Sequence, residues 1–89
     1  MNHKVQYEKK KVTFHYLGKH YSGDIVCSHI DAGTYWFVFD QIDVKPFGGS
    51  VEFTIENGHL KPILEYPDYE LFLLCIKRTI DTHRKELCN

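Results

Sequence analysis

Val51-Glu52-Phe53-Thr54-Ile55-Glu56-Asn57-Gly58-His59-Leu60-Lys61-Pro62-Ile63-Leu64-Glu65-Tyr66 carries the strongest local signal in the chain. Val51, Phe53 and Ile55 alternate with Glu52, Thr54 and Glu56, the two-residue period of a strand with one buried face. Asn57-Gly58 supplies the two positive φ values of a type I′ hairpin turn. A two-residue loop sets Glu56 against His59, Ile55 against Leu60, Phe53 against Pro62 and Val51 against Leu64. The apolar residues of both strands then fall on one face, so turn and pattern demand the same register. Pro62 has no N–H for a ladder, which makes the second strand, His59–Tyr66, an edge.

Upstream of this hairpin the same reading gives further strands. Val12, Phe14 and Tyr16 alternate with polar residues. Val5 and Tyr7 have the opposite parity, which predicts a bulge or a loose arm over residues 1–11. A turn at Gly18-Lys19 leads to a strand from about His20 to Ile30, and Asp31-Ala32-Gly33 marks the next turn. Tyr35–Phe39 is five consecutive apolar residues, four of them aromatic. A run so short and so rich in β-formers predicts a central strand buried on both faces.

Downstream, a helix is expected from about Pro67 to Leu87. Pro67, Asp68 and Glu70 suit its start, and Arg84 and Lys85 suit its end. Tyr69, Phe72, Leu73, Ile76, Ile80, His83 and Leu87 share an arc of about 100°. Leu71 and Leu74 fall outside it. Strands followed by one helix, without βαβ alternation, indicate an α+β fold. The expected architecture is an antiparallel meander sheet of four or five strands packed by one long C-terminal helix. The sheet is either open or curled into a barrel-like roll. Residues 1–89 form one domain in this reading.

Composition narrows the function classes. The formal net charge is −1, against the strongly basic balance of most nucleic-acid binders. Residues 1–20 carry five Lys and one Glu, whereas residues 21–70 carry two Lys and nine acids. This reads as a soluble surface of mixed sign or, more sharply, as an acidic central surface suited to a basic partner. Weak single-strand nucleic-acid binding through Tyr7, Tyr16 and Lys9–Lys11 is the least favoured reading. Cys27, Cys75 and Cys88 are odd in number and form no CxxC, so neither a disulfide framework nor zinc-finger spacing is expected. A reduced, cytoplasmic setting follows, and no apolar run is long enough for a membrane span.

No catalytic constellation emerges, and no cofactor or metal is implied. If a metal site existed, Cys27, His29 and His83 would be its ligands; Cys27 and Cys75 read instead as small apolar packing residues. Asp40 and Asp43 flank a loop, Gln41–Gly49, that holds Val44 and Phe47 and reads as mobile or as a binding element. Thirteen of 89 residues are aromatic. Trp36 has opposite parity to Tyr35, Phe37 and Phe39, so a helix covering one face leaves aromatic surface on the other. The candidate binding residues are therefore Trp36, Asp40, Asp43, Phe47, Leu71 and Leu74. They fit a non-enzymatic interaction or ligand-binding module, with a homodimer or a protein as partner. The alternative is an enzyme or sensor holding a small apolar or aromatic ligand.

Overall fold

Asn57 and Gly58 adopt φ of 53° and 82°, the pair of left-handed residues that a type I′ turn requires. The flanking strands pair as the turn dictates: Glu56 with His59, Ile55 with Leu60 and Phe53 with Pro62. The structure is a computed structural model and describes residues 7–41 and 43–87. Its strands are β1 (Tyr7–Tyr16), β2 (Lys19–Ser28), β3 (Thr34–Phe39), β4 (Ser50–Glu56) and β5 (His59–Pro62). Helix α1 (Glu70–His83) is flanked by 3₁₀ turns at Pro67–Tyr69 and Arg84–Glu86. The predicted helix of about 67–87 is thus an α-helix with a 3₁₀ turn at each end.

The five strands form one antiparallel meander in the order β1-β2-β3-β4-β5. β1 and β5 are both edges, so the sheet is open and not closed into a barrel. One face carries Val12, Phe14, Ile25, Phe37, Val51 and Phe53, and α1 lays Phe72, Leu73, Ile76 and Ile80 against it. Phe37, Phe53, Ile25, Leu60, Ile76 and Ile80 are almost completely sealed from solvent. Each such side chain contributes about 1.5–3 kcal/mol by leaving water. Leu87, just past the second 3₁₀ turn, closes the same core at 5% exposure. Tyr69, expected in the buried stripe, is 39% exposed because it stands before the α-helix proper.

Four local expectations are corrected. β1 pairs with β2 without a slip, from Tyr7 opposite Ser28 to Tyr16 opposite Lys19. There is no bulge: Tyr7 belongs to the outer face together with Lys9 and Lys11, so its parity is that of a continuous strand. Lys9–Lys11 are therefore strand residues; Val5 and the rest of the arm lie outside the described residues. β5 ends at Pro62, not Tyr66. After the Ile63 amide bonds the Glu52 carbonyl, the chain leaves the ladder to carry Tyr66 toward Phe47, 4.6 Å between ring centroids. Leu64 accordingly does not face Val51 and is exposed.

β3 is central but covered on one face only. Val38 on its other face is 39% exposed. The expectation of burial on both faces fails because a single helix covers a single face. The fourth correction concerns Cys27, which is buried at 1% exposure and takes part in a disulfide. Cys75 is a free thiol, and Cys88 lies outside the described residues. No helix among the described residues is long and apolar enough to cross a membrane.

The β1–β2 turn offers a stability prediction. Its two turn residues are Leu17 (φ 50°) and Gly18 (φ 75°), one position earlier than the sequence suggested. Leu17 is 87% exposed and holds a left-handed conformation without any packing in return. A left-handed L-residue costs roughly 1 kcal/mol, and Asn tolerates that region best among side chains with a Cβ. Leu17→Asn should therefore raise the midpoint of urea unfolding, by about 0.5–1 kcal/mol of stability.

Candidate functional site

The register of the sheet assembles the outer face residue by residue. Lys9 stands opposite Val26, Val26 opposite Trp36, and Trp36 opposite Glu52. The neighbouring row reads Lys11, Asp24, Val38 and Ser50. Tyr7 reaches Trp36 edge-on, with 6.4 Å between ring centroids. Beyond Glu52, Ile63 continues the Trp36 row and is 50% exposed. Trp36, Ser50, Glu52, Ile63 and Leu64 line one hollow of about 380 Å³, which Phe47, Val51 and Tyr66 line from the core side. Among the described residues no element crosses this face.

Polar partners fix some of the charges here and leave others unmet. Lys11 bonds both Asp40 and Asp24. Lys61 bonds Glu56 at 3.1 Å. Among the described residues, neither Lys9 nor Glu52 has an ionic partner. His15 and His20 close the far end of the face with ring centroids 3.9 Å apart. No group of three or more His, Cys, Asp or Glu among the described residues is placed to hold a metal ion. The suggested ligand set does not assemble: Cys27 is in its disulfide, and His29 Nε2 meets Glu8 at 2.7 Å. The Nδ1 of His83 is buried without a hydrogen-bond partner among the described residues and lies 3.8 Å from a Glu86 carboxylate oxygen.

Asp40 and Lys11 are the outer-face pair whose protonation the fold alters. The hydrogen bond from Lys11, then one from Ser22, holds the Asp40 carboxyl below the ordinary value of 3.8. The bond to Asp40 in turn raises Lys11 above 10.5. Asp40's contribution is thus present above pH 3.8 and is lost as pH falls through its lowered folded value. Lys11's contribution is present below pH 10.5 and is lost as pH rises through its raised folded value. Both groups face solvent, so the pair is weak and screened by salt. Asp40→Asn should change stability little at neutral pH, and should flatten the loss of stability below pH 3.8 in low salt. Urea titrations of both proteins at several acidic pH values check this; a parallel acid limb would contradict it.

The six residues singled out from sequence do not form one site. Trp36 and Asp40 lie on the outer face. Asp43 is exposed in the loop at φ 60°. Phe47 is half-buried and lines the same hollow as Trp36. The Val44 amide bonds the Gly48 carbonyl, and the Phe47 and Gly48 amides both bond the Val44 carbonyl, which closes the loop on itself. Phe47 then inserts among Phe39, Tyr66, Tyr69 and Phe72, at 4.6–6.3 Å between centroids. Val44 packs on the core as well. The loop is held by its aromatic anchor, and Asp40 and Asp43 do not line a pocket with it.

Leu71 and Leu74 stand on the helix flank, 66% and 37% exposed. Leu74 lines a second hollow of about 350 Å³ between the start of α1 and β5, together with Phe53, Pro62, Tyr66, Leu73 and Glu70. Sequence reading missed Tyr7, Lys9, Glu52 and Ile63 as outer-face neighbours of Trp36. The signal was present for Glu52, which alternates out of the buried set of its hairpin. For Tyr7 it was obscured when its parity was taken as a bulge. No family model matches the chain, and neither a curated protein nor a solved structure matches it.

Proposed function

We propose that this chain is a non-enzymatic protein-interaction module whose working surface is the open outer face of the sheet, centred on Trp36. One observation carries the reading. The sheet is open, α1 covers one face, and the other presents Tyr7, Val26, Trp36, Val38 and Ile63 in neighbouring positions. Aromatic residues at the centre of a patch with charges at its rim are the usual composition of a protein interface. Three of these side chains are at least 39% exposed, a condition that association relieves. The exposed helix pair Leu71 and Leu74 is the rival surface for the same function. Solution mass by light scattering tests the reading on wild type and on Leu71→Lys with Leu74→Lys. Association that survives the helix double substitution supports the sheet face, and association lost with it moves the interface to α1.

A second reading is favoured by the hollow beside Leu74. Its volume and its lining of Phe53, Tyr66, Leu73 and Leu74 suit a small apolar or aromatic ligand. Fragment titration followed by NMR would then shift Tyr66 and Leu74 together and leave Trp36 unmoved.

A further inference from the structure

Resting on that reading of the sheet face, we propose that its occupant is a second copy of the same chain, related by a two-fold axis that runs along β3. A self-complementary interface must place opposite charges on opposite sides of its axis, because each patch meets its own image. The Trp36 row does this. Lys9 lies two strands to one side of Trp36, and Glu52 lies one strand to the other side. At the usual strand spacing these are roughly 10 Å and 5 Å away.

Rotation about an axis along β3 exchanges left and right and leaves positions along the strands unchanged. The partner's Lys9 therefore arrives over Ile63, two strands from Trp36 and one strand beyond Glu52. The long lysine stem crosses apolar surface while its ammonium reaches the Glu52 carboxylate. The same contact repeats on the other side of the axis, and the two Trp36 side chains meet at its centre. Sheets packed face to face sit about 10 Å apart and within about 30° of parallel, a spacing that large side chains fill.

The remaining charges of the face are consistent with this arrangement. Lys11 and Lys61 already have acidic partners within the chain, at Asp40 and Asp24 and at Glu56. Lys9 and Glu52, the two that the rotation brings together, are the two without one among the described residues. Pairing through the long β1 edge is a poorer alternative. Two copies of β1 would bring their Lys9-Lys10-Lys11 runs together, which is how natural edge strands resist pairing. β5, only four residues long and ending in Pro62, is blunted in another way.

The test is a charge exchange read by sedimentation velocity. Lys9→Glu alone and Glu52→Lys alone each place like charges in both contacts, and each should weaken self-association by about tenfold or more. A mixture of the two single variants should associate at least as well as wild type, because every contact is then Glu against Lys. The double variant, Lys9→Glu with Glu52→Lys, should recover self-association. If wild type self-associates and Trp36→Lys abolishes it, yet neither the mixture nor the double variant recovers, the two-fold along β3 is wrong and the face reading survives. If wild type stays monomeric up to near-millimolar concentration, the second copy is excluded. If Trp36→Lys leaves self-association unchanged, the face reading falls as well.

Discussion

Gly23→Val should leave little folded protein, and Gly23→Ala should already lose about 3 kcal/mol or more. Gly23 stands in the middle of β2, opposite Val12 on one side and Phe39 on the other. It faces the helix-covered side, where the Phe37 ring lies over it. A Cβ at this position would sit 2.3 Å from the Val38 carbonyl oxygen and 2.7 Å from the Phe37 ring. The first neighbour is backbone, so relief requires β2 and β3 to separate, not a change of rotamer. The second is a core ring of 0% exposure with nowhere to move. Domains of this size hold roughly 5–10 kcal/mol in all, so the larger substitution consumes most of it. Gly49→Ala is the control: it has no neighbour within 4 Å of the added atom and no left-handed φ. Thermal unfolding of the three proteins checks the ordering, and a Gly23→Ala protein as stable as Gly49→Ala would contradict the packing described.

Trp36→Lys should abolish association at concentrations where wild type associates, while the fold is retained. The two effects separate because of where the side chain stands. On the outer face Trp36 contributes cross-strand contacts with Val26 and Glu52 and the ring contact with Tyr7. Such pairs are worth about 0.2–1 kcal/mol each, so unfolding should shift only modestly. A buried aromatic at the centre of an interface typically carries 2 kcal/mol or more, which is about a thirtyfold change in affinity. A lysine there adds the cost of desolvating a cation against its own image. Light scattering with circular dichroism on the same samples checks both halves. Loss of association together with loss of helix and sheet signal would mean a folding defect.

The pattern of what was legible follows from how far each contact reaches along the chain. The hairpin at Asn57-Gly58 was readable because its turn chemistry, alternation and register all lie within sixteen residues. The stripe Phe72, Leu73, Ile76 and Ile80 was readable for the same reason. That Trp36 turns away from Phe37 follows from strand alternation alone. Closure of the sheet was not readable, since it depends on whether β1 meets β5 across the whole chain. Phe47 looked exposed because the rings that bury it, Phe39, Tyr66 and Phe72, come from three separate segments. Gly23 stood in the sequence as one more glycine until the register set it against Val38 and Phe37. An odd cysteine count spoke against a framework of disulfides but could not say whether Cys27 takes part in one.

Trp36 is the chain's single tryptophan, so its fluorescence reports on the outer face and nothing else. The most direct measurement is its emission and its quenching by acrylamide, from nanomolar to near-millimolar protein. The expected result is emission that shifts to shorter wavelength and quenching that weakens as concentration rises, with both changes displaced to about tenfold higher concentration or more in Lys9→Glu. Emission and quenching constant at every concentration would contradict it.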